Sequence, residues 1–201
     1  MGRKSLAYQF KITLKGIDPP IWRRIQVPKR YTFWGLHVAI QDSMGWLDYH
    51  LHMFRLPDPR TGRPIEIGIP DEDPFEDDVP CLPGWEIPIA AYFPKPGTTA
   101  QYEYDFGDSW EHEILLEDIV ERIPKDEYPK CLDGARACPP EDCGGIWGYE
   151  QLLATIADPT HEEYESTITW LGGGFAPNAF DPRRVRFDSP AKRWKIAFAG
   201  E

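Results

Sequence analysis

The sequence predicts an α+β fold, with a mixed or mainly antiparallel sheet and about three helices. Apolar residues make up 41% of the 201 residues, which is enough for one hydrophobic core, so residues 1–201 are taken as a single domain. Segments near the N-terminus and the centre alternate apolar and polar residues, whereas others repeat apolar residues at helical spacing. The 21 prolines indicate many fixed turns between these elements.

The first two predicted elements are strands. Residues 7–15 place Tyr8, Phe10 and Ile12 on one face and polar side chains on the other. A turn follows, and residues 21–27 read as a second strand that ends at Pro28. Antiparallel pairing of the two strands is the simplest arrangement.

A helix is predicted next, from a Thr32 cap to Gly45. Its apolar positions include His37, which indicates a hydrogen-bonded core histidine rather than a ligand. Residues 49–54 then predict a strand with His50 and His52 on one side, about 6.6 Å apart. Stacking inside an aromatic core is the favoured interpretation of these two imidazoles, and a metal site completed by His112 is the alternative.

Residues 57–100 are rich in Pro, Gly and acids and contain at most one or two short strands. The run 71–78 carries six carboxylates and lacks the order of an EF-hand loop, so we expect a solvated loop.

Residues 101–120 predict a β-hairpin. A three-residue loop, 107–109, pairs Tyr104 with His112 and keeps one face apolar, with His112 pointing inward. The other face then sets Asp105 against Glu111 and Glu103 against Glu113 across the strands. A cation or basic groups from elsewhere would relieve this repulsion, whereas a face open to water needs no partner because salt screens the charges. Two shorter helices are expected at about 149–156 and 162–171.

Three cysteines, Cys131, Cys138 and Cys143, fall within thirteen residues. Their intervals of seven and five residues do not match the close pairs of zinc fingers. The favoured interpretation is that the thiols are small buried hydrophobic groups. The alternative is that they are metal ligands together with His112, with zinc as the candidate ion.

Neither a nucleophile elbow nor a phosphate-binding loop occurs in the sequence. The net charge of −11 disfavours generic nucleic-acid binding, and we expect basic residues near the C-terminus to form a solvated tail. The first residues lack a signal-peptide pattern and no apolar run could span a membrane, so a cytoplasmic location is expected.

Several segments are distinctive in their residues and in their order along the chain. They are Pro20–Arg24, His37 and Met44–Trp46 with His50–Phe54, Tyr104–His112, Cys138–Gly145 with Gly148–Tyr149, and Trp170–Gly172. Together they resemble the plasmid Ri ORF-3-like family over about residues 7–187. The resemblance implies one α+β domain with a mixed or antiparallel sheet. Some members carry a resolvase-like label from insertion-element surroundings, but this chain has no serine-recombinase pattern.

Two functions remain open. The preferred one is a binding or adaptor domain that takes a protein or small ligand in a cleft; the other is a metal-dependent hydrolase acting on a small or nucleotide-like substrate. The candidate cleft residues are His50, His52, Tyr104, Trp110 and His112, and the candidate general bases are Asp108, Glu141 and Asp142.

Overall fold

One large sheet dominates the structure. The computed structural model describes residues 5–71 and 79–198, and within them eight strands form a sheet in the order β5-β4-β3-β6-β7-β1-β2-β8. Every neighbouring pair is antiparallel except β4 and β5. The prediction of a mainly antiparallel sheet is therefore confirmed. The strands are β1 Leu6–Leu14, β2 Ile21–Pro28, β3 His52–Pro57, β4 Pro64–Gly68, β5 Cys81–Pro83, β6 Thr99–Tyr104, β7 Trp110–Glu121 and β8 Lys130–Ala135.

The expectation of about three helices is wrong, because the described residues contain five. Two of the five were not predicted from the sequence. Helix α2 has only four residues, and α5 lies in the stretch interpreted as a basic tail. The helices are α1 Phe33–Met44, α2 Ile89–Tyr92, α3 Gly145–Ala157, α4 Tyr164–Trp170 and α5 Pro190–Phe198. None of these helices, within 5–71 and 79–198, has the length and apolar character needed to cross a bilayer.

Helix α1 begins and ends as predicted. The Thr32 hydroxyl accepts from the backbone N–H of Gly35, and Gly45 ends the helix with a left-handed φ of 95°. His37 is fully buried on the sheet-facing side, and its ring nitrogens lie 2.9 Å from the Tyr102 hydroxyl and 2.8 Å from Asp48 Oδ1. The prediction of a satisfied core histidine is confirmed.

The basic C-terminal segment is not a simple solvated tail. Arg193 of α5 lies 2.7 Å from Asp42 of α1 and 3.2 Å from Asp48, and only 14% of its side chain is exposed. Trp194 of the same helix packs edge-on against Trp34, with ring centroids 5.5 Å apart. Helix α5 is therefore fastened to α1 by ion pairs and by aromatic packing.

The predicted hairpin exists, but its pairing is displaced. Tyr104 pairs with Trp110 and Tyr102 with His112, so five residues, 105–109, form the loop. Asp105 and Ser109 adopt left-handed backbone angles there, and Asp105 Oδ1 accepts from the backbone N–H of Gly107 at 3.0 Å. Because the displacement is two residues, the predicted apolar face is unchanged.

Acidic side chains do oppose one another on the outer face of this hairpin, with Glu103 paired to Glu111. Arg55 lies 2.5 Å from Glu103, and Lys15 lies 2.7 Å from Glu111. Of the alternatives for this face, basic groups from elsewhere in the fold are the one observed, and the predicted acid pairs are wrong because the register is displaced. Of the acidic loop predicted at 71–78, residues 72–78 lie outside the described residues.

His112 should make stability depend on pH. Burial lowers the pKa of His112 to about 3, while an unfolded histidine titrates near 6.5. The unfolded chain therefore takes up a proton that the folded chain refuses, and the free energy of unfolding falls as pH drops from about 6.5 toward 3, by up to about 1.4 kcal/mol per pH unit.

We expect His112→Phe to lose less stability than the wild type between about pH 7 and about pH 5. Urea unfolding at a series of pH values measures the difference. Identical pH slopes for the two proteins would contradict a buried neutral imidazole at this position.

Candidate functional site

The two histidines of the 49–54 segment have separate environments. Strand β3 begins only at His52, so the prediction that His50 and His52 share one strand face is wrong. His52 is buried and stacks on His37 with ring centroids 3.5 Å apart, and burial together with the neighbouring His37 lowers its pKa. His50 lies in the preceding loop with 30% of its side chain exposed.

Carboxylates from two other segments surround His50. Its Nε2 lies 2.9 Å from Asp142 Oδ1, 3.6 Å from Asp105 Oδ2 and 4.0 Å from Glu141 Oε2. One ligand atom each from His50, Asp105 and Asp142 lies within 4.8 Å of the other two. The loop before β3, the hairpin loop and the 138–145 loop therefore meet at one point. We call His50, Asp105 and Asp142 the carboxylate–imidazole cluster.

The Glu141 carboxylate lies beside this cluster and is held in place by hydrogen bonds. One of its oxygens, Oε1, accepts from the backbone N–H of Leu47 at 2.6 Å and from the Tyr104 hydroxyl at 3.1 Å. Burial raises the pKa of Glu141. Burial and the adjacent Glu141 also raise the pKa of Tyr104, so its hydroxyl stays protonated and donates.

Both carboxylates of the cluster sit on unusual backbone. Asp105 has φ 57° and Asp142 has φ 55°, in the left-handed region that favours glycine. Such conformations persist only where the surroundings hold them, and they concentrate at functional positions. Asp105 is held by the hydrogen bonds of its Oδ1 to the backbone N–H groups of Gly107 and Asp108.

The hairpin loop and the start of α3 are docked closely. Asp108 Oδ2 accepts from the backbone N–H of Gly144 at 3.1 Å, so Asp108 positions the 138–145 loop and is not part of the cluster. A Cβ on Gly145 would lie 2.6 Å from the Asp108 carbonyl, and one on Gly148 would lie 1.8 Å from the Cys143 carbonyl. These glycines permit a backbone approach that no side chain allows.

The cysteines do not form the metal site that was considered. Among the described residues, no group of three potential ligands within reach of one ion includes Cys131, Cys138, Cys143 or His112. Burial raises the pKa of Cys131 to about 11 and that of Cys143 to about 12, and it also raises the pKa of Cys138. His112 lies between the rings of Trp46 and Tyr102.

Most of the predicted cleft residues belong to the core. Tyr104, Trp110 and His112 are fully buried on the inner face of the hairpin, and His52 is 3% exposed. Only His50 reaches the surface, although the Tyr104 hydroxyl contacts Glu141. A cavity of about 410 Å³ adjoins the cluster instead, and it is lined by Trp46, Pro139, Glu141, Asp142, Trp170 and Phe175, among others.

Asp105 is the member of the cluster that sequence reasoning did not select. It was assigned to the outer face of a regular hairpin, where an acid is ordinary. The segment Asp105-Phe-Gly-Asp108 is rich in turn-forming residues, and this was the available signal for a longer loop. Trp170, 52% exposed at the end of α4, was likewise not proposed as part of a cavity.

The chain is similar to known proteins over most of its length. The model of the plasmid pRiA4b ORF-3-like proteins matches residues 6–184, and the chain belongs to that family. An uncharacterised protein, y4hQ of Sinorhizobium fredii (strain NBRC 101917 / NGR234), is 33% identical over 190 residues, covering 92% of this chain and 93% of its own. The crystal structure of MM3350, a protein of unknown function from Methanosarcina mazei Go1, is 45% identical with a TM-score of 0.83, covering 92% of this chain and all of the other. No catalytic activity is attached to either relative.

The close approach at Gly148 gives a test of this loop geometry. We expect Gly148→Ala to destabilise the fold by about 1–3 kcal/mol, because its Cβ would overlap the Cys143 carbonyl. Gly45→Ala is the control: a Cβ there meets open space, and only the left-handed backbone adds a cost of about 1–2 kcal/mol. Chemical denaturation of both variants provides the comparison. A larger loss for Gly45→Ala would contradict the described packing.

Proposed function

We propose that the chain is a binding domain that holds a divalent metal ion at the carboxylate–imidazole cluster and takes a small ligand or a protein segment in the adjoining cavity. The convergence of His50, Asp105 and Asp142 from three loops carries this proposal. No other group of this kind occurs among residues 5–71 and 79–198.

The hydrogen bonding of His50 supports a bound cation. Its Nε2 is buried and has no hydrogen-bond partner of acceptable geometry among the described residues, although Asp142 Oδ1 lies 2.9 Å away. Buried polar atoms are nearly always satisfied, so an unsatisfied nitrogen facing two carboxylates suits a metal ligand. A cation would also offset the repulsion among Asp105, Glu141 and Asp142.

The donor set narrows the class of ion. One imidazole nitrogen with carboxylate oxygens suits Mn²⁺, Fe²⁺ or Zn²⁺ better than Ca²⁺, which prefers oxygen ligands alone. Two carboxylates neutralise a dication. Three protein ligands leave coordination positions for a ligand that enters from the cavity beside Glu141 and Asp142.

Calorimetric titration with Mn²⁺ and with Zn²⁺ tests this proposal. We expect saturable binding of one ion per chain, with affinity lowered at least about tenfold in His50→Ala and in Asp142→Asn. His161→Ala and Glu162→Gln are matched controls, because both side chains are exposed and lie outside the cluster. Wild-type protein that binds neither ion, or controls that weaken binding as much, would contradict the proposal.

A metal-dependent hydrolase is the second candidate. The position of Glu141 favours it: the carboxylate lies in the cavity wall, 4.0 Å from His50, and is held by the Tyr104 hydroxyl. A carboxylate so held beside a metal-bound water could act as its general base. Asp108 is less suited to that role, since it accepts from the Gly144 N–H.

Hydrolysis of an activated phosphodiester with added Mn²⁺ separates the two candidates. A hydrolase would turn over substrate and lose that activity in Glu141→Gln while retaining the ion. A binding domain would bind the ion without turnover.

We further propose that residues 1–201 act as one domain in a reducing, cytoplasmic setting. The four cysteines are all unpaired, which supports such a compartment.

A further inference from the structure

A second cavity, of about 660 Å³, lies on the other side of Cys138. It shares Met44, Gly45 and Cys138 with the cavity beside the cluster. Its remaining lining is different in character, because it includes three arginines, Arg23 from β2 and Arg184 and Arg186 from the segment before α5. We call it the arginine cavity.

Arg23 is a buried side chain that is held rigidly in the wall of this cavity. The residue is 1% exposed, and its guanidinium carbon lies 3.7 Å from the centroid of the Phe180 ring. Its Nε donates to the Ser43 carbonyl at 2.8 Å, and Nη1 donates to the carbonyls of Trp22 and Ala135 at 2.9 and 3.0 Å. Among the described residues, Nη2 donates to none, so one end of a rigidly held guanidinium is left for another acceptor.

The charge of Arg23 is uncompensated. Arg23 forms no ion pair with any carboxylate of the described chain, and its titratable neighbours are the thiols of Cys138 and Cys131. Burial raises the pKa of both thiols, so they remain neutral near pH 7. A buried positive charge without a nearby anion lowers the stability of the fold, because the charge has lost its hydration. A bound anion would offset that loss of free energy.

The acids in the cavity lining are already engaged. Asp42 pairs with Arg193 at 2.7 Å, and Asp181 pairs with Arg183 at 3.0 Å. Arg184 and Arg186 are exposed and form no ion pair with any described residue. Arg186 donates only to backbone carbonyls. The arginine cavity therefore carries an excess of positive charge in a chain whose net charge is −11.

We infer that the arginine cavity binds a small molecule through its phosphate group. Planar guanidinium groups match the oxygens of a phosphate, and a dianion balances more of the three positive charges than a single carboxylate does. The volume lies within the range of small-molecule sites, so the rest of the ligand has room beside Phe180 and Asn178. This inference is independent of the metal proposal, since no residue of the carboxylate–imidazole cluster lines the arginine cavity.

Calorimetric titration with inorganic phosphate at constant ionic strength tests the inference. We expect saturable binding of one phosphate per chain and weaker binding of acetate. The double substitution Arg184→Ala with Arg186→Ala should lower phosphate affinity at least about tenfold, and it should not disturb folding because both side chains are exposed.

Arg63→Ala is the matched control, because it removes one exposed positive charge on the β3–β4 turn, outside the cavity. It should bind phosphate as the wild type does. The inference is overturned if phosphate shows no saturation up to about 10 mM, if the double variant binds like the wild type, or if acetate binds equally well. Metal binding is measured on the same variants. A failure of the phosphate inference can then be distinguished from a failure of the metal proposal.

Discussion

The hydrogen bond between His37 and Asp48 is the constraint on which the site depends. His37 projects from α1 and also contacts Tyr102 of β6, while Asp48 belongs to the loop that presents His50. Asp48 has a left-handed φ of 64°, so without this contact and its ion pair with Arg193 the loop would relax to other conformations. The sheet and α1 thus meet at His37, and the loop and α5 join them through Asp48.

The strands and the helix that could be predicted from the sequence are those whose formation depends on residues close together in the chain. Strands β1 and β2 follow from alternation, and α1 follows from apolar spacing between Thr32 and Gly45. The inner face of the hairpin could also be predicted, because only one face carries apolar residues throughout. The loop length could not be predicted in this way, because it depends on the Asp105 carboxylate accepting from the backbone N–H of Gly107, where a continued strand ladder was expected.

The candidate site was harder to predict because its members are far apart in sequence and near one another only through loop docking. His50 was selected as a strand residue, yet its role depends on lying before the strand begins. The 138–145 loop was selected for its thiols, but its carboxylate Asp142 reaches the imidazole. The long-range approach of the hairpin loop to the start of α3 rests on Gly145, where a Cβ would lie 2.6 Å from the Asp108 carbonyl.

The contacts of His37 have a further consequence, which concerns where its ring proton resides. The Gln41 amide donates to the Tyr102 hydroxyl, so that hydroxyl directs its own hydrogen to Nδ1 of His37. With Nδ1 accepting, the ring hydrogen lies on Nε2 and is donated to Asp48 Oδ1, and the other Asp48 oxygen accepts from Arg193. The hydrogen bonds therefore all run in one direction, from Gln41 through Tyr102 and His37 to Asp48. This direction requires one tautomer of the His37 ring. Any replacement that reversed one member would leave two donors or two acceptors facing each other in the interior.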